Sequence, residues 1–138
     1  MITSNVYHRI FQIRLGENTG TCFTIDIDNK QYLITARHVL DKWDPSSKGY
    51  LCHTDEWKEL ALTIAGIGTG AADIAVLTTN RQLSPNLPME PTAAASVWGQ
   101  DVYFLGFPYG WRVNVDANLN RGFPLPFVKK AIISCMYP

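Results

Sequence analysis

Apolar residues in this chain recur at every second position in short bursts, and no segment sustains the spacing of a long amphipathic helix. A period of two sends alternate side chains to opposite faces of a strand, so the chain is committed to sheets. In the first burst Tyr7, Phe11, Ile13 and Leu15 share a face that Arg9 interrupts, with His8, Gln12 and Arg14 opposite. Residues 21–27 repeat the pattern, with Phe23, Ile25 and Ile27 against Cys22, Thr24 and Asp26. Turn residues punctuate the bursts: Glu17-Asn18-Thr19-Gly20, then Asp28-Asn29-Lys30 as a tight hairpin into Tyr32-Leu33-Ile34. Further strands are predicted at 50–53, 59–65, 74–78 and 101–105. They are divided by Pro45-Ser46-Ser47-Lys48-Gly49, a glycine-rich stretch at 66–70 and a proline-rich one at 85–91. A single helical turn fits at 39–43 before Pro45 stops it. Many short strands with frequent turns predict an all-β fold, a closed barrel or a sandwich.

At 138 residues the chain has material for one domain with a real core. Its 46% hydrophobic and 17% charged content exclude a disordered or membrane-spanning chain. Twelve basic residues cancel twelve acidic ones, which argues against a nucleic-acid surface built on bulk charge. Residues 1–15 hold no uninterrupted apolar run of the kind a secretory signal needs. No stretch reaches the ~20 apolar residues of a membrane helix. Cys22, Cys52 and Cys135 are an odd set with no Cys-x-x-Cys, which predicts reduced thiols in a cytoplasmic protein.

The residues that carry chemistry are two. Leu33-Ile34-Thr35-Ala36-Arg37-His38-Val39 sets a histidine immediately after an apolar, β-branched strand. Ala72-Asp73-Ile74-Ala75-Val76-Leu77 opens a second apolar run with a carboxylate. A lone histidine there would be a cap or a surface residue, and a lone aspartate a turn residue. Together, each at a strand end, they are two members of a nucleophile-base-orienter triad. No Gly-x-Ser-Gly-Gly run, and no serine flanked by glycines, supplies the third.

Other constellations fall short. His53 beside Cys52 matches no zinc spacing. Asp26-x-Asp28 has Gln31 and Arg37 where a calcium loop needs glycine and glutamate. Gly66-x-Gly68-x-Gly70 lacks the Lys-Ser/Thr of a phosphate loop and reads as a flexible loop. No metal and no cofactor are expected. Arg112, Arg121, Lys129 and Lys130 read as a solvated rim, and Trp43, Trp57, Trp98 and Trp111 as packing residues. Cys135 lacks the flanking glycines that would expose a nucleophile.

Four motifs stand in one order: Gly20-Thr21-Cys22-Phe23-Thr24-Ile25, Tyr32-Leu33-Ile34-Thr35-Ala36-Arg37-His38-Val39, Ala72-Asp73-Ile74-Ala75-Val76-Leu77 and Val102-Tyr103-Phe104-Leu105-Gly106-Phe107-Pro108. In that order the chain resembles the trypsin-like (chymotrypsin-fold) serine peptidases, nearest to their bacterial, disulfide-free branch. The resemblance implies two six-stranded β-barrels, the first carrying the His and the Asp, the second the Ser and the specificity pocket. It departs from the pattern at Cys22, where glycine is usual, and at Val39, where secreted members have a disulfide cysteine. On this reading residues 1–117 form the first barrel with His38 as general base and Asp73 as its orienter. Residues 118–138 form the inter-barrel connector and one strand of a second barrel absent from the sequence.

The implied function is peptide-bond hydrolysis, by a half that is inactive alone because the serine and the oxyanion hole are missing. The alternative is a non-catalytic barrel that binds a peptide or protein partner. Expected partners are a polypeptide substrate or peptide ligand, with no nucleic acid and no membrane. Strand-mediated self-association through 127–136 is also expected, because that apolar run has no partner strands left to complete a second barrel.

Overall fold

The computed structural model describes every residue except Pro88, Ala93, Tyr137 and Pro138. Parts of the proline-rich stretch at 85–91 and the end of the 118–138 segment therefore lie outside the described residues. A four-residue helix α1 (Ser4–Tyr7) leads into β1 (Ile10–Leu15), β2 (Asn18–Ile27) and β3 (Lys30–Thr35). A 3-10 turn (Arg37–Leu40) follows, then β4 (Gly49–His53), β5 (Glu56–Leu60), β6 (Thr63–Ile67) and β7 (Ala75–Thr78). The last two strands are β8 (Asp101–Gly106) and β9 (Phe127–Ile132).

The first seven strands make one sheet in the order β5-β4-β1-β2-β3-β7-β6, and every adjacent pair is antiparallel. The two end strands, β5 and β6, are separated in the chain only by Ala61 and Leu62. The three chain steps from Leu60 to Thr63 reach at most about 11 Å, so the sheet has to curl until its ends approach. The all-β, barrel-type fold is therefore present, with the strand predicted at 59–65 broken into β5 and β6. The β2–β3 hairpin turns through Asp28 and Asn29 with φ of 50° and 62°. That left-handed pair matches the twist of the flanking strands, and Asn and Asp tolerate it best after glycine.

Inside the curl Phe11, Ile13, Leu15, Leu33, Leu51, Leu60 and Leu77 form the core. The alternation in β2 is real, but the inward face is the one with Cys22 and Thr24, both fully buried. Phe23 and Ile27 point outward and are partly exposed. The reason is a polar network that closes one end of the barrel. Thr24 Oγ1 and Ser84 Oγ lie 2.6 Å apart. The Gln31 amide donates to Asp26 and Ser84 and accepts the main-chain N–H groups of Leu83 and Ser84. Arg9, the exception noted in the first burst, is buried and paired with Asp26 at 3.3 Å. Buried polar atoms are tolerable only when partnered in this way.

Four expectations change. Residues 7–9 precede the strand, which starts at Ile10. Gln12, placed opposite the core face, is buried because the connector covers it and Gly110 O accepts its amide N–H at 3.0 Å. Arg112 and Arg121 act as ties, Arg112 half-buried and Arg121 still exposed. Arg121 donates to Leu83 O and His8 O, and Arg112 to Asp55. Of the tryptophans, Trp43 is buried, whereas Trp98 and Trp111 are mostly exposed.

The largest difference concerns the tail. Residues 101–106, counted above within 1–117, do not join the barrel sheet. They pair with Phe127–Ile132 as a separate two-stranded ribbon, in register from Asp101↔Ile132 to Gly106↔Phe127. Residues 127–132 of the apolar run at 127–136 therefore have a partner in their own chain. The connector between them carries an isolated bridge, Val113↔Leu125.

Candidate active site

Antiparallel pairing of β3 with β7 sets Thr35 opposite Ala75. Continued two residues outward, that register brings the chain at 37–38 beside Asp73, although 35 positions separate His38 from Asp73. Thr35 is buried and its hydroxyl donates to Thr21 O at 2.9 Å, which fixes the end of β3. The chain then turns at Ala36 into the 3-10 turn, where Val39 N–H donates to Ala36 O at 3.1 Å. Val39 is drawn into the core. With its neighbour buried on so tight a turn, His38 faces solvent.

Asp73 meets His38 through both oxygens. The His38 main-chain N–H donates to Oδ1 at 3.0 Å, and ring Nδ1 lies 2.6 Å from Oδ2. The bond from the His38 ring, then the one from its main chain, hold the Asp73 carboxyl below its ordinary range, with smaller help from the charges of His38 and Arg37. An ionised carboxylate only accepts, so Nδ1 carries the proton and the lone pair of the neutral ring lies on Nε2. The pair is open to water, His38 at 69% and Asp73 at 48% exposure, which screens its energy. What it provides is orientation: an imidazole of fixed tautomer with its basic nitrogen facing outward.

Beside Asp73 lies a hollow of about 320 Å³, lined by Phe23, Ile34, Ala36, Ile74 and Leu105 among others. A second hollow of about 350 Å³ also borders Leu105 and is walled by Phe104, Phe127 and Val128 of the ribbon. Thr21 touches both hollows, and its hydroxyl accepts the Phe107 N–H at 3.0 Å, tying the end of β8 to the barrel.

Among the described residues no serine is hydrogen-bonded to the pair. Ser84 is locked in the buried network with Thr24 and Gln31, and Ser46 and Ser47 bond to Asp44. Among the described residues no group of three or more His, Cys, Asp or Glu side chains is placed to hold a metal ion. The structure thus brings together the two residues singled out in the sequence.

Sequence reasoning missed Arg37, whose guanidinium reaches the loop that carries Asp73, bonding to Gly68 O at 3.0 Å and Gly70 O at 3.3 Å. It also took that loop to be merely flexible. Glycines at every second position just before the carboxylate were the available signal.

Among solved structures the chain is similar to Rv3671c protease in its inactive form, at 18% identity and a TM-score of 0.57, covering 95% of this chain and 74% of that one. A serine-to-alanine mutant of Rv3671c from M. tuberculosis, also in an inactive form, is similar at 20% identity with a TM-score of 0.55. That match covers 94% of this chain but 63% of the other, so the chain spans less than two thirds of that neighbour's length. At such identity the likeness concerns the fold. No curated protein matches the chain. The family model described as the trypsin-like peptidase domain matches residues 20–137, and the chain belongs to that family.

Proposed function

We propose that the chain is the His/Asp-bearing half of a trypsin-like serine endopeptidase. His38 is the general base that takes a serine proton during attack and returns it to the leaving amine. Asp73 holds the ring tautomer and stabilises the imidazolium. The observation that carries this reading is the two-point contact between His38 and Asp73. The serine and the oxyanion donors come from outside these 138 residues, so the chain alone is inactive. Polypeptide is the substrate class, and the three free cysteines fit the reducing cytoplasm.

The test is an assay of the isolated chain with fluorogenic peptides and a serine-directed phosphonate. The expected result is hydrolysis at background and no labelling. Labelling of Ser46, Ser84, Ser96 or Ser134 overturns the assignment of the nucleophile to another segment. A Gly-x-Ser-Gly-Gly run encoded within about a hundred residues downstream, one further domain, supports the two-barrel reading.

One observation favours a second reading, a non-catalytic barrel that binds a peptide or protein partner. The ribbon β8–β9 leaves Phe104, Phe127, Val128 and Ile132 exposed, and open strand edges accept a further strand. Self-association through 127–136 belongs to this reading. Lys129 and Lys130 weigh against pairing of two β9 edges, because like charges would face each other.

A further inference from the structure

We propose that Arg37 is a positioning residue for Asp73, a clamp on the loop that carries the carboxylate. The inference rests on His38 and Asp73 acting as base and orienter.

The loop between β6 and β7 contains Gly68 and Gly70, and the Gly66 that precedes them lies within β6, so its backbone has unusual freedom to lose on folding. Something has to hold it. Part of the closure is internal. Gly68 N–H donates to Ile74 O at 2.7 Å, and Ala72 N–H to Thr69 O at 3.2 Å. The fit is tight enough that a Cβ on Gly68 would stand 2.5 Å from Ala72 O and 3.0 Å from Ile74 O.

The other part comes from across the site. One arm of the Arg37 guanidinium donates to Gly68 O at 3.0 Å and another to Gly70 O at 3.3 Å. Consecutive residues of one 3-10 turn therefore hold both halves of the partner. Arg37 grips the main chain before Asp73, and His38 grips its carboxylate. The planar fork suits two carbonyls at once, which a lysine ammonium on its flexible stem does not reproduce. The Arg37 charge also favours the ionised form of Asp73. Loss of the clamp frees the loop, and the carboxylate then spends less time on Nδ1.

The experiment reads the tautomer of the His38 ring by nitrogen NMR on the full chain at about pH 9, where an imidazole is neutral. The wild-type ring is protonated on Nδ1. Arg37→Ala should shift the Nδ1–H to Nε2–H ratio about tenfold toward Nε2–H, the size of one charge-assisted hydrogen bond. Amide exchange at Gly68 should quicken while that of Leu33 in β3 stays unchanged, which marks the effect as local. Arg37→Lys should recover only part of the ratio.

Gly68→Ala, which breaks the same closure by steric contact, should reproduce the signature and carries the test if Arg37→Ala does not fold. A wild-type ratio in a folded Arg37→Ala variant overturns the clamp. So does full recovery by Arg37→Lys, which would reduce the role to charge. Asp73→Asn is the control: if it leaves the ratio unmoved, the base-orienter pair itself fails, a result distinct from failure of the clamp.

Discussion

In the curled sheet Phe11, Ile13, Leu33 and Leu77 are at most 1% exposed, whereas in the ribbon Phe104, Val128 and Ile132 are more than half exposed. The residue types hardly differ. What differs is the number of neighbours a strand finds: five of the seven barrel strands pair on both edges, while β8 and β9 have only each other. Both faces of the ribbon carry exposed apolar side chains, Phe104 and Phe127 on one, Val128 and Ile132 on the other. A two-stranded hairpin alone is marginal in water, so the ribbon draws its order from attachment to the barrel through Thr21.

That contrast is broken or sharpened first by truncating an aromatic in each region. Phe11→Ala removes a fully buried ring stacked edge-on against Phe123 and should cost about 3–5 kcal/mol in denaturant unfolding. Phe104→Ala should change stability by no more than about 0.5 kcal/mol. Similar losses at the two sites would mean that the ribbon is core.

Polar interactions offer the second comparison. Gln31→Ala leaves the buried N–H groups of Leu83 and Ser84 without their acceptor and should cost about 1–3 kcal/mol. Asp101→Asn breaks the exposed bridge to Lys130 in the ribbon and should fall within about 1 kcal/mol of wild type. Equal effects would remove the distinction between the buried network and the solvated pair.

A smaller effect is expected at the site itself. The folded carboxyl of Asp73 titrates below its unfolded value, so its contribution is complete above the unfolded pKa of ~3.9 and is lost as pH falls through the depressed folded value. The difference in midpoint between wild type and Asp73→Asn should therefore shrink as pH falls below about 4. A difference that grows as pH falls below about 4 contradicts the contact.

The smallest effect on stability is expected from alkylation. Cys135, exposed beyond β9, should react in the native protein without moving the unfolding midpoint. Burial pushes the thiols of Cys22 and Cys52 up and shields them, so they should react only on unfolding. Mass spectrometry of the labelled native protein checks this. Ready labelling of Cys22 would show that the barrel opens.

Sequence alone settled the all-β class, most strand positions and the tight turn at Asp28-Asn29, and it singled out His38 and Asp73, which the fold brings into contact. All of these rest on local physics: period-two alternation, turn residues that accept positive φ, and a polar residue at the mouth of an apolar strand. It left undecided which face of β2 turns inward, because Cys22 and Thr24 win the interior only when Gln31 and Ser84 arrive to bond there. It assigned residues 101–106 to the barrel because a strand's own residues do not name its partner. The tertiary structure also decided that Arg37 and the Gly68 loop meet. That contact depends on the β3–β7 register, and register is a property of two strands that no window along one of them contains.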